Sequence, residues 1–524
     1  MSEQTDTAQT EVQNPRAHDG TVADGIAAEG IAAGRVVADH GKRNKRVIGL
    51  LLVASFIVIL NETIMNVALR DIMLDLQIEA ATAQWLSTAF MLTMAIVIPI
   101  TGFLLERFNT RPIFIAAMSL FSLGTLLAGL APDFGLLLLA RVVQASGTAI
   151  MLPLLMTTIM TLVPPATRGK TMGNVSIVIS VAPAIGPTVS GLILDTLTWR
   201  WMFWLVLPIA LIMLVIGIRR VENVTTPQKV PLDVFSVILS AFGFGGLIYG
   251  LSRVGELSQP DVTGMATMQV WMSIGVGVLA LAAFVIRQLI LQRSDKALLD
   301  LRTFVSRTFS VSIMMMAVSM VALFGTIILI PIYLQQVLHL EAITTGLLLL
   351  PGGLLMGLLA PFVGRLYDRV GPAPLLIPGS IIVSAALWAL TLISATTSPY
   401  YVLGAHIVLS LGLALVFTPL FTSALGAVKP ALYSHGSAIL GTVQQVAGAA
   451  GTALFITIMA SQSASLAVSG ATPDAAAAGG VQMAFVAGAV ISLFAIVGAL
   501  FIRKPIEQHD DALDGAEAPT RFAH

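Results

Sequence analysis

The sequence GFLLERFNTR at residues 102–111 recurs in a related form as GRLYDRVG at residues 364–371. Each copy places a glycine, an acid and an arginine at the same spacing: Gly102, Glu106 and Arg107, then Gly364, Asp368 and Arg369. The two copies lie 262 residues apart, which is close to the distance between the first and the ninth long apolar segments. Because a chance match would have no reason to respect that distance, the chain is predicted to contain two related halves.

The composition requires a membrane around most of the chain. Of the 524 residues, 56% are hydrophobic and 11% are charged, whereas soluble domains carry about 25% charged residues. A spanning helix needs about 20 mostly apolar residues. Fourteen segments meet this condition: 47–69, 83–105, 112–131, 135–161, 172–194, 200–218, 233–252, 267–290, 308–334, 344–364, 373–395, 400–424, 436–460 and 481–502. The predicted fold class is an all-α membrane protein with two six-helix halves and two inserted linker helices.

The spans also divide the chain into regions and orient it. The predicted regions are a disordered tail at 1–45, a first half at 46–218, a linker at 219–307, a second half at 308–502 and a tail at 503–524. A surface helix within 24–39 is the alternative to disorder in the first tail. With the N-terminus inside, 24 of the 28 lysines and arginines lie on the cytoplasmic side. Basic residues favour cytoplasmic loops, so both termini are predicted to be cytoplasmic in a multi-pass protein of the cell (inner) membrane.

Several function classes are disfavoured by the same sequence. The net charge is zero, so no overall field favours nucleic acid. Cysteine is absent, and the seven histidines show no spacing typical of a metal site. The stretch 168–171 ends like a phosphate-binding loop, but Pro164 stands where that loop needs a glycine. We expect no cofactor, no metal and no catalytic residue.

Further motifs resemble those of the major facilitator superfamily. The repeated loops resemble its loop signature, RVVQASG at 141–147 its fourth-span motif, and APAIGPTVSG at 182–191 its antiporter motif. LNETIMNVAL at 60–69 is similar to the first span of fourteen-span drug:proton antiporters. Within that family, AQWL at 83–86 and LDVFSVILSAFGFGG at 232–246 look closest to exporters of the lincomycin-resistance type.

This resemblance implies a monomeric carrier in the lipid bilayer that exchanges protons for lipophilic or cationic small molecules by alternating access. Export of an endogenous metabolite, or import by symport, remains the alternative. A membrane enzyme or receptor is the third reading, and the duplicated halves argue against it. One departure affects the proton site. The family usually has aspartate where this chain has Asn61, and the acid moves to Glu62, a rotation of about 100° on a helix.

Glu62 and Arg141 are the candidate residues for proton coupling. An acid about fifteen residues into an apolar span is costly, and is a functional hypothesis by default. The alternative is that Glu62 permanently pairs with a basic group and locks helices together. The resemblance assigns Arg141 to proton coupling, and its alternative is a structural partner to Glu62 or to backbone carbonyls.

Polar residues in the spans could line a substrate cavity or could instead hydrogen-bond between helices. They are Asn66, Gln144, Asn174, Gln335, Gln336, Gln444 and Gln445. The antiporter motif contributes Pro183, Gly186, Pro187 and Gly191, which could form a hinge or seal at the half–half interface, or simply a tightly packed helix. The repeated loops, with Arg111 beside the first, could latch the two halves in one state, or form weak surface ion pairs.

Overall fold

The computed structural model describes residues 19–224, 227–228, 231–258 and 263–502. Fourteen α-helices lie in this part of the chain, and each contains a segment long and apolar enough to span a membrane. They are α1 (Asp19–Leu76), α2 (Ala80–Arg107), α3 (Thr110–Leu130), α4 (Phe134–Leu162), α5 (Arg168–Thr196), α6 (Trp201–Arg220), α7 (Val234–Arg253), α8 (Gly264–Leu291), α9 (Arg307–Ile332), α10 (Ala342–Val370), α11 (Ala373–Leu390), α12 (Pro399–Gly426), α13 (Tyr433–Val468) and α14 (Pro473–Ala499). The predicted fold class is confirmed: this is a multi-pass, all-α membrane protein.

The predicted tails are only partly within the described residues. Helix α1 begins at Asp19, inside the segment 1–45 that is expected from its sequence to be disordered. That segment is rich in alanine, the strongest helix former, and its sequence is therefore compatible with a helix. Residues 1–18 and the predicted tail 503–524 lie outside the described residues.

Helix packing follows the internal repeat. In the first half α3 packs against α4 and α6, and eight helices later α11 packs against α12 and α14. Between the halves α5 packs against α10, and the related pair α13 and α2 packs in the same way. The two halves therefore meet along two helix pairs, one on each side of the interface.

The loops after α2, α4, α10 and α12 lie at one end of the bundle, which we call the basic-loop end. It comprises residues 107–111, 163–168, 369–372 and 427–432 and is the end predicted to face the cytoplasm. The opposite end, where α5 finishes and α10 begins, is called the far end. Short 3₁₀ turns, Pro165–Thr167 and Pro430–Leu432, lead into α5 and α13 at the basic-loop end.

Side-chain hydrogen bonds join the linker helices α7 and α8 where α7 begins and α8 ends. Asp233, just before α7, accepts hydrogen bonds from Nε and Nη2 of Arg287 at 2.6 and 2.8 Å. Gln288 donates to Ser236 at 2.7 Å and accepts from the backbone N–H of Leu299 at 3.2 Å. Helix α7 also packs against α2 and α13, one helix from each half.

Candidate functional site

A buried polar network surrounds Arg141 on α4. Its Nη1 donates to Oε1 of Gln144 at 2.5 Å, and Nε2 of Gln144 donates to Oγ1 of Thr125 on α3 at 2.8 Å. The guanidinium carbon lies 4.0 Å from the ring centroid of Phe90 on α2, which places the cation on the aromatic face. Three helices therefore hold one arginine, and its side chain is only 1% exposed.

The network does not satisfy Arg141 completely. A guanidinium carries several N–H donors, and within the described residues Nε of Arg141 is buried without a hydrogen-bond partner. A buried charge is costly unless it is paired and hydrogen-bonded. Because simple packing would not retain such a group, an ionisable residue at this depth in a membrane protein indicates function.

Glu62 on α1 supplies the opposite charge. It is partly buried, and its charge and that of Arg141 interact electrostatically. In the part of the chain that the structure describes, Glu62 forms no hydrogen bond and no ion pair within 4.0 Å. The neighbouring Asn61 is buried, and its Oδ1 has no partner among the described residues. The two opposite charges therefore lie close enough to interact, but among the described residues they form no ion pair within 4.0 Å.

Helix α5 packs directly on the segment of α1 that carries Glu62. A Cβ atom at Gly186 would collide with the side chain of Thr63, so the glycine permits this approach. Ser190 donates to the backbone carbonyl of Ile64 at 3.0 Å, one turn further along. The antiporter motif therefore contacts the two residues that follow the acid. Gly191, in contrast, has no described heavy atom within 4 Å of where its Cβ would lie.

The candidate cavity residues occupy different environments. Gln144 is fully buried in the arginine network. Asn174 on α5 is exposed, as are Gln335 and Gln336 in a π-helical turn (Tyr333–Val337) that ends α9. Asn66 lies outside the residues whose side chains the structure describes.

Two further candidates lie on α13 and are partly buried, namely Gln444 and Gln445. Nε2 of Gln445 is 3.8 Å from the sulfur of Met94 on α2, so this side chain reaches across to the first half. Of the candidate cavity residues, Gln445 thus contacts the other half across the half–half interface.

The second repeated loop contacts the other half at the basic-loop end. Asp368 on α10 accepts hydrogen bonds from the backbone N–H groups of Gly169 and Lys170 at 2.7 and 2.8 Å. These N–H groups belong to the first turn of α5 and have no partner within the helix. Gly364 lies against the backbone of Gly169, with no room for a Cβ atom. Arg369 is exposed.

The first repeated loop reaches the related place on α13 by different chemistry. Nε2 of His435 lies 3.2 Å from Oε2 of Glu106, and Gly102 packs against the same histidine. The guanidinium carbon of Arg107 lies 5.9 Å from the ring centroids of Phe103 and Phe108. Phe103 is on the same helix as Arg107, and Phe108 is the next residue in the chain.

Arg111 stays within the first half, where its Nη2 donates to the carbonyl of Ile218 at 2.6 Å.

Buried hydroxyl pairs continue the contact between the halves away from the loops. Thr157 donates to Ser437 at 3.0 Å, joining α4 to α13, and Thr418 donates to Ser176 at 2.8 Å, joining α12 to α5. Together with the two acidic contacts, these bonds close the basic-loop end of the interface.

The sequence did not single out Phe90, Thr125, Thr63 or His435 for these positions. Only His435 had a usable signal: it follows Pro430 by five residues, as Lys170 follows Pro165. Extending the repeat to these loops would have placed His435 opposite Glu106.

Comparisons with known proteins agree with this architecture. The model of the Major Facilitator Superfamily matches residues 51–452. The lincomycin resistance protein LmrB of Listeria monocytogenes is 43% identical over 463 residues, which cover 87% of this chain and 96% of that protein. LmrB of Bacillus subtilis is 41% identical over 466 residues, covering 88% and 96%.

Solved structures share the fold at much lower identity. The human organic anion transporter MFSD10 (TETRAN) aligns with a TM-score of 0.61 at 13% identity, covering 87% of this chain and 99% of that one. The proton:xylose symporter XylE aligns with a TM-score of 0.59 at 13% identity, covering 89% and 97%.

Proposed function

The chain belongs to the major facilitator superfamily, and on that premise we propose that it is a proton-coupled exporter of drug-like lipophilic or cationic molecules. It works as a monomer in the cell membrane, with both termini in the cytoplasm. The relatives named for lincomycin resistance support export of a drug-like compound. The observation that carries proton coupling is the buried Arg141 whose charge interacts with that of Glu62 without a direct bond.

In this proposal, proton and substrate compete for Glu62. The ionised carboxylate attracts a cationic substrate when the site faces the cytoplasm. A proton arriving from outside neutralises Glu62, and the substrate loses that attraction and leaves. Gln144 and Phe90 hold Arg141 in place. When the site faces inward, the positive charge of Arg141 stabilises the carboxylate of Glu62 and so favours release of the proton into the cytoplasm. The proton gradient thereby drives export.

The contact between α1 and α5 offers a way to link protonation to movement. Gly186 and Ser190 hold α5 against Thr63 and Ile64, the two residues that follow the acid. At its other end the same helix donates two backbone hydrogen bonds to Asp368 across the interface. A shift of α1 on protonation would therefore act on a helix that also forms the closed end.

The test is substrate-driven proton movement in everted membrane vesicles or proteoliposomes. Wild type is expected to discharge a preset pH gradient when lincomycin or a lipophilic cation is added. Glu62→Gln, which mimics the neutral acid, is expected to abolish the discharge and to weaken binding of the lipophilic cation. The matched control is Glu341→Gln, the same change at an exposed acid that caps α10.

The outcomes separate the parts of the proposal. A Glu62→Gln protein that still exchanges protons for drug would move the proton site elsewhere. A wild-type protein that discharges no gradient with either compound would overturn proton-coupled export of this substrate class.

A further inference from the structure

Helices α5 and α10 are in close contact from the basic-loop end to the middle of the bundle. Small residues permit this approach. A Cβ at Gly173 would lie 2.5 Å from the carbonyl oxygen of Ala360, and Cβ atoms at Gly357 and Gly353 would collide with Val181 and Ala184. Over this length no molecule could pass between the two helices.

The contact stops beyond Ala184 and Gly353. Gly191 follows Ala184 by seven residues, and Gly346 precedes Gly353 by seven, so each glycine lies on the same helix face about two turns further on. If the helices continued in contact, these glycines would face each other. Instead, no described heavy atom lies within 4 Å of a Cβ built at either one.

Each helix has a proline within those two turns. Pro187 lies between Ala184 and Gly191 on α5, and Pro351 lies between Gly346 and Gly353 on α10. A proline removes a backbone hydrogen bond within a helix, so the hydrogen-bond ladders of both helices are interrupted at the level where the contact ends. At the level of Gly191 and Gly346, the facing positions of α5 and α10 are therefore not in contact.

The related helix pair α2 and α13 is covered over the corresponding length. Ala95 and Ala449 pack with Ile248 of α7 in one cluster. Nearer the far end, the rings of Trp85 on α2 and Tyr249 on α7 lie 5.7 Å apart. Gly255, in the short helix after α7, packs against Ile456 of α13. The linker thus bridges these two helices.

We propose that the gap between α5 beyond Pro187 and α10 before Pro351 is a lateral exit through which a lipophilic substrate enters the adjacent leaflet. Helix α7 closes the equivalent gap between α2 and α13, so the exit lies on one side of the protein. This inference rests on the proposed export function and names the route and the substrate property that it favours.

The residues on either side of the gap are uncharged and mostly apolar, which favours an apolar substrate. No charged residue occurs from Thr188 to Leu194 or from Ile343 to Leu350. Leu192 and Leu347 are 70% and 56% exposed. A hydrophilic molecule would gain nothing on this path.

The first test narrows the gap with tryptophan at Gly191 and, separately, at Gly346. Controls are Gly275→Trp on α8 and Gly404→Trp on α12, two glycines whose Cβ would also meet no described atom. Efflux of tetraphenylphosphonium and of lincomycin is measured for each variant. The gap variants are expected to lose at least about fivefold in tetraphenylphosphonium efflux and to keep lincomycin efflux at the control level. Equal losses for both compounds, or no loss, would overturn the exit.

A second test avoids bulky substitutions and needs no proton gradient. The chain has no cysteine, so Gly346→Cys can be labelled with bimane in liposomes that contain phosphatidylcholine with nitroxide-labelled acyl chains. The lipid is expected to quench the label, and tetraphenylphosphonium is expected to relieve the quenching.

Labels at two control positions show how this result is to be interpreted. Gly275→Cys faces open space elsewhere and is expected to be quenched without relief, whereas Ile456→Cys, covered by Gly255, is expected to be quenched weakly. Quenching at Gly346→Cys that the cation does not relieve would mean that lipid alone occupies the gap. Strong quenching at Ile456→Cys would show that the linker does not close the other side. Either result overturns the proposal, and neither depends on whether transport is proton-coupled.

Discussion

The substitution Asp368→Asn tests how the basic-loop end is held closed. Asp368 accepts two backbone hydrogen bonds from the first turn of α5, at 2.7 and 2.8 Å. Asparagine keeps one acceptor oxygen, and its amide group cannot accept from the second N–H. One charge-assisted hydrogen bond is worth about 1.5–3 kcal/mol, and the lost charge at a helix N-terminus costs a further ~0.3–1 kcal/mol.

The expected effect is a shift in population between conformations. Asp368 is partly exposed, so solvent screening reduces the sum to about 1–3 kcal/mol, which corresponds to a ~5- to 150-fold change in the equilibrium. The change is expected to favour opening of the basic-loop end, because the bonds exist only while α10 and α5 are together there.

Distances between spin labels measure this population. Labels at Phe108→Cys and Val370→Cys place one nitroxide on each half at the basic-loop end, on exposed residues of a chain without native cysteine. Asp368→Asn is expected to raise the fraction of long distances in detergent or nanodiscs. Glu106→Gln is the comparison, and we expect a smaller rise because it removes one contact with a side chain. An unchanged distribution in Asp368→Asn, or an equal rise in both variants, would refute the reasoning.

Three further predictions concern packing, the buried network and the linker. Gly364→Ala would press a Cβ atom into the backbone of α5, so efflux is expected to fall at least about tenfold, whereas Gly191→Ala should match wild type in the same assay. Gln144→Leu removes hydrogen bonds from both of its partners and is expected to destabilise the protein by about 1–3 kcal/mol; an unchanged melting temperature in detergent would mean that the network contributes nothing. Arg287 holds the pKa of Asp233 below its ordinary value of 3.8, so their bond stabilises the linker above that pH and is lost only as the pH falls through the lowered pKa. Asp233→Asn should therefore speed hydrogen exchange in α7 at pH 7, and exchange as slow as in wild type would contradict this role.

The fold could be predicted because its determinants are local or repeated. Fourteen apolar runs fix the helices, and the duplicated loops at 102–111 and 364–371 fix the two halves. The spacing of Arg141 and Gln144 also anticipates their hydrogen bond, since residues three apart share a helix face.

The partners of these residues could not be predicted in the same way. Phe90 and Thr125 lie on different helices from Arg141, and no periodicity marks which aromatic ring or hydroxyl will meet a distant cation. The stretch 168–171 shows a related limit. The sequence excludes it as a phosphate-binding loop, but only the packed structure shows that its backbone N–H groups bind the carboxylate of Asp368.

The two sides of the half–half interface are held by different means, although they descend from one repeat. On the α5–α10 side, Asp368 binds two backbone N–H groups, and glycines bring the helices into close contact. On the α2–α13 side, Glu106 contacts a single side chain, that of His435, at 3.2 Å. Helix α7 packs on α2 and α13, and on no helix of the α5–α10 pair among the main helix contacts of the described chain. The linker therefore reinforces the side with the simpler acidic contact and leaves the other side free to separate at its far end.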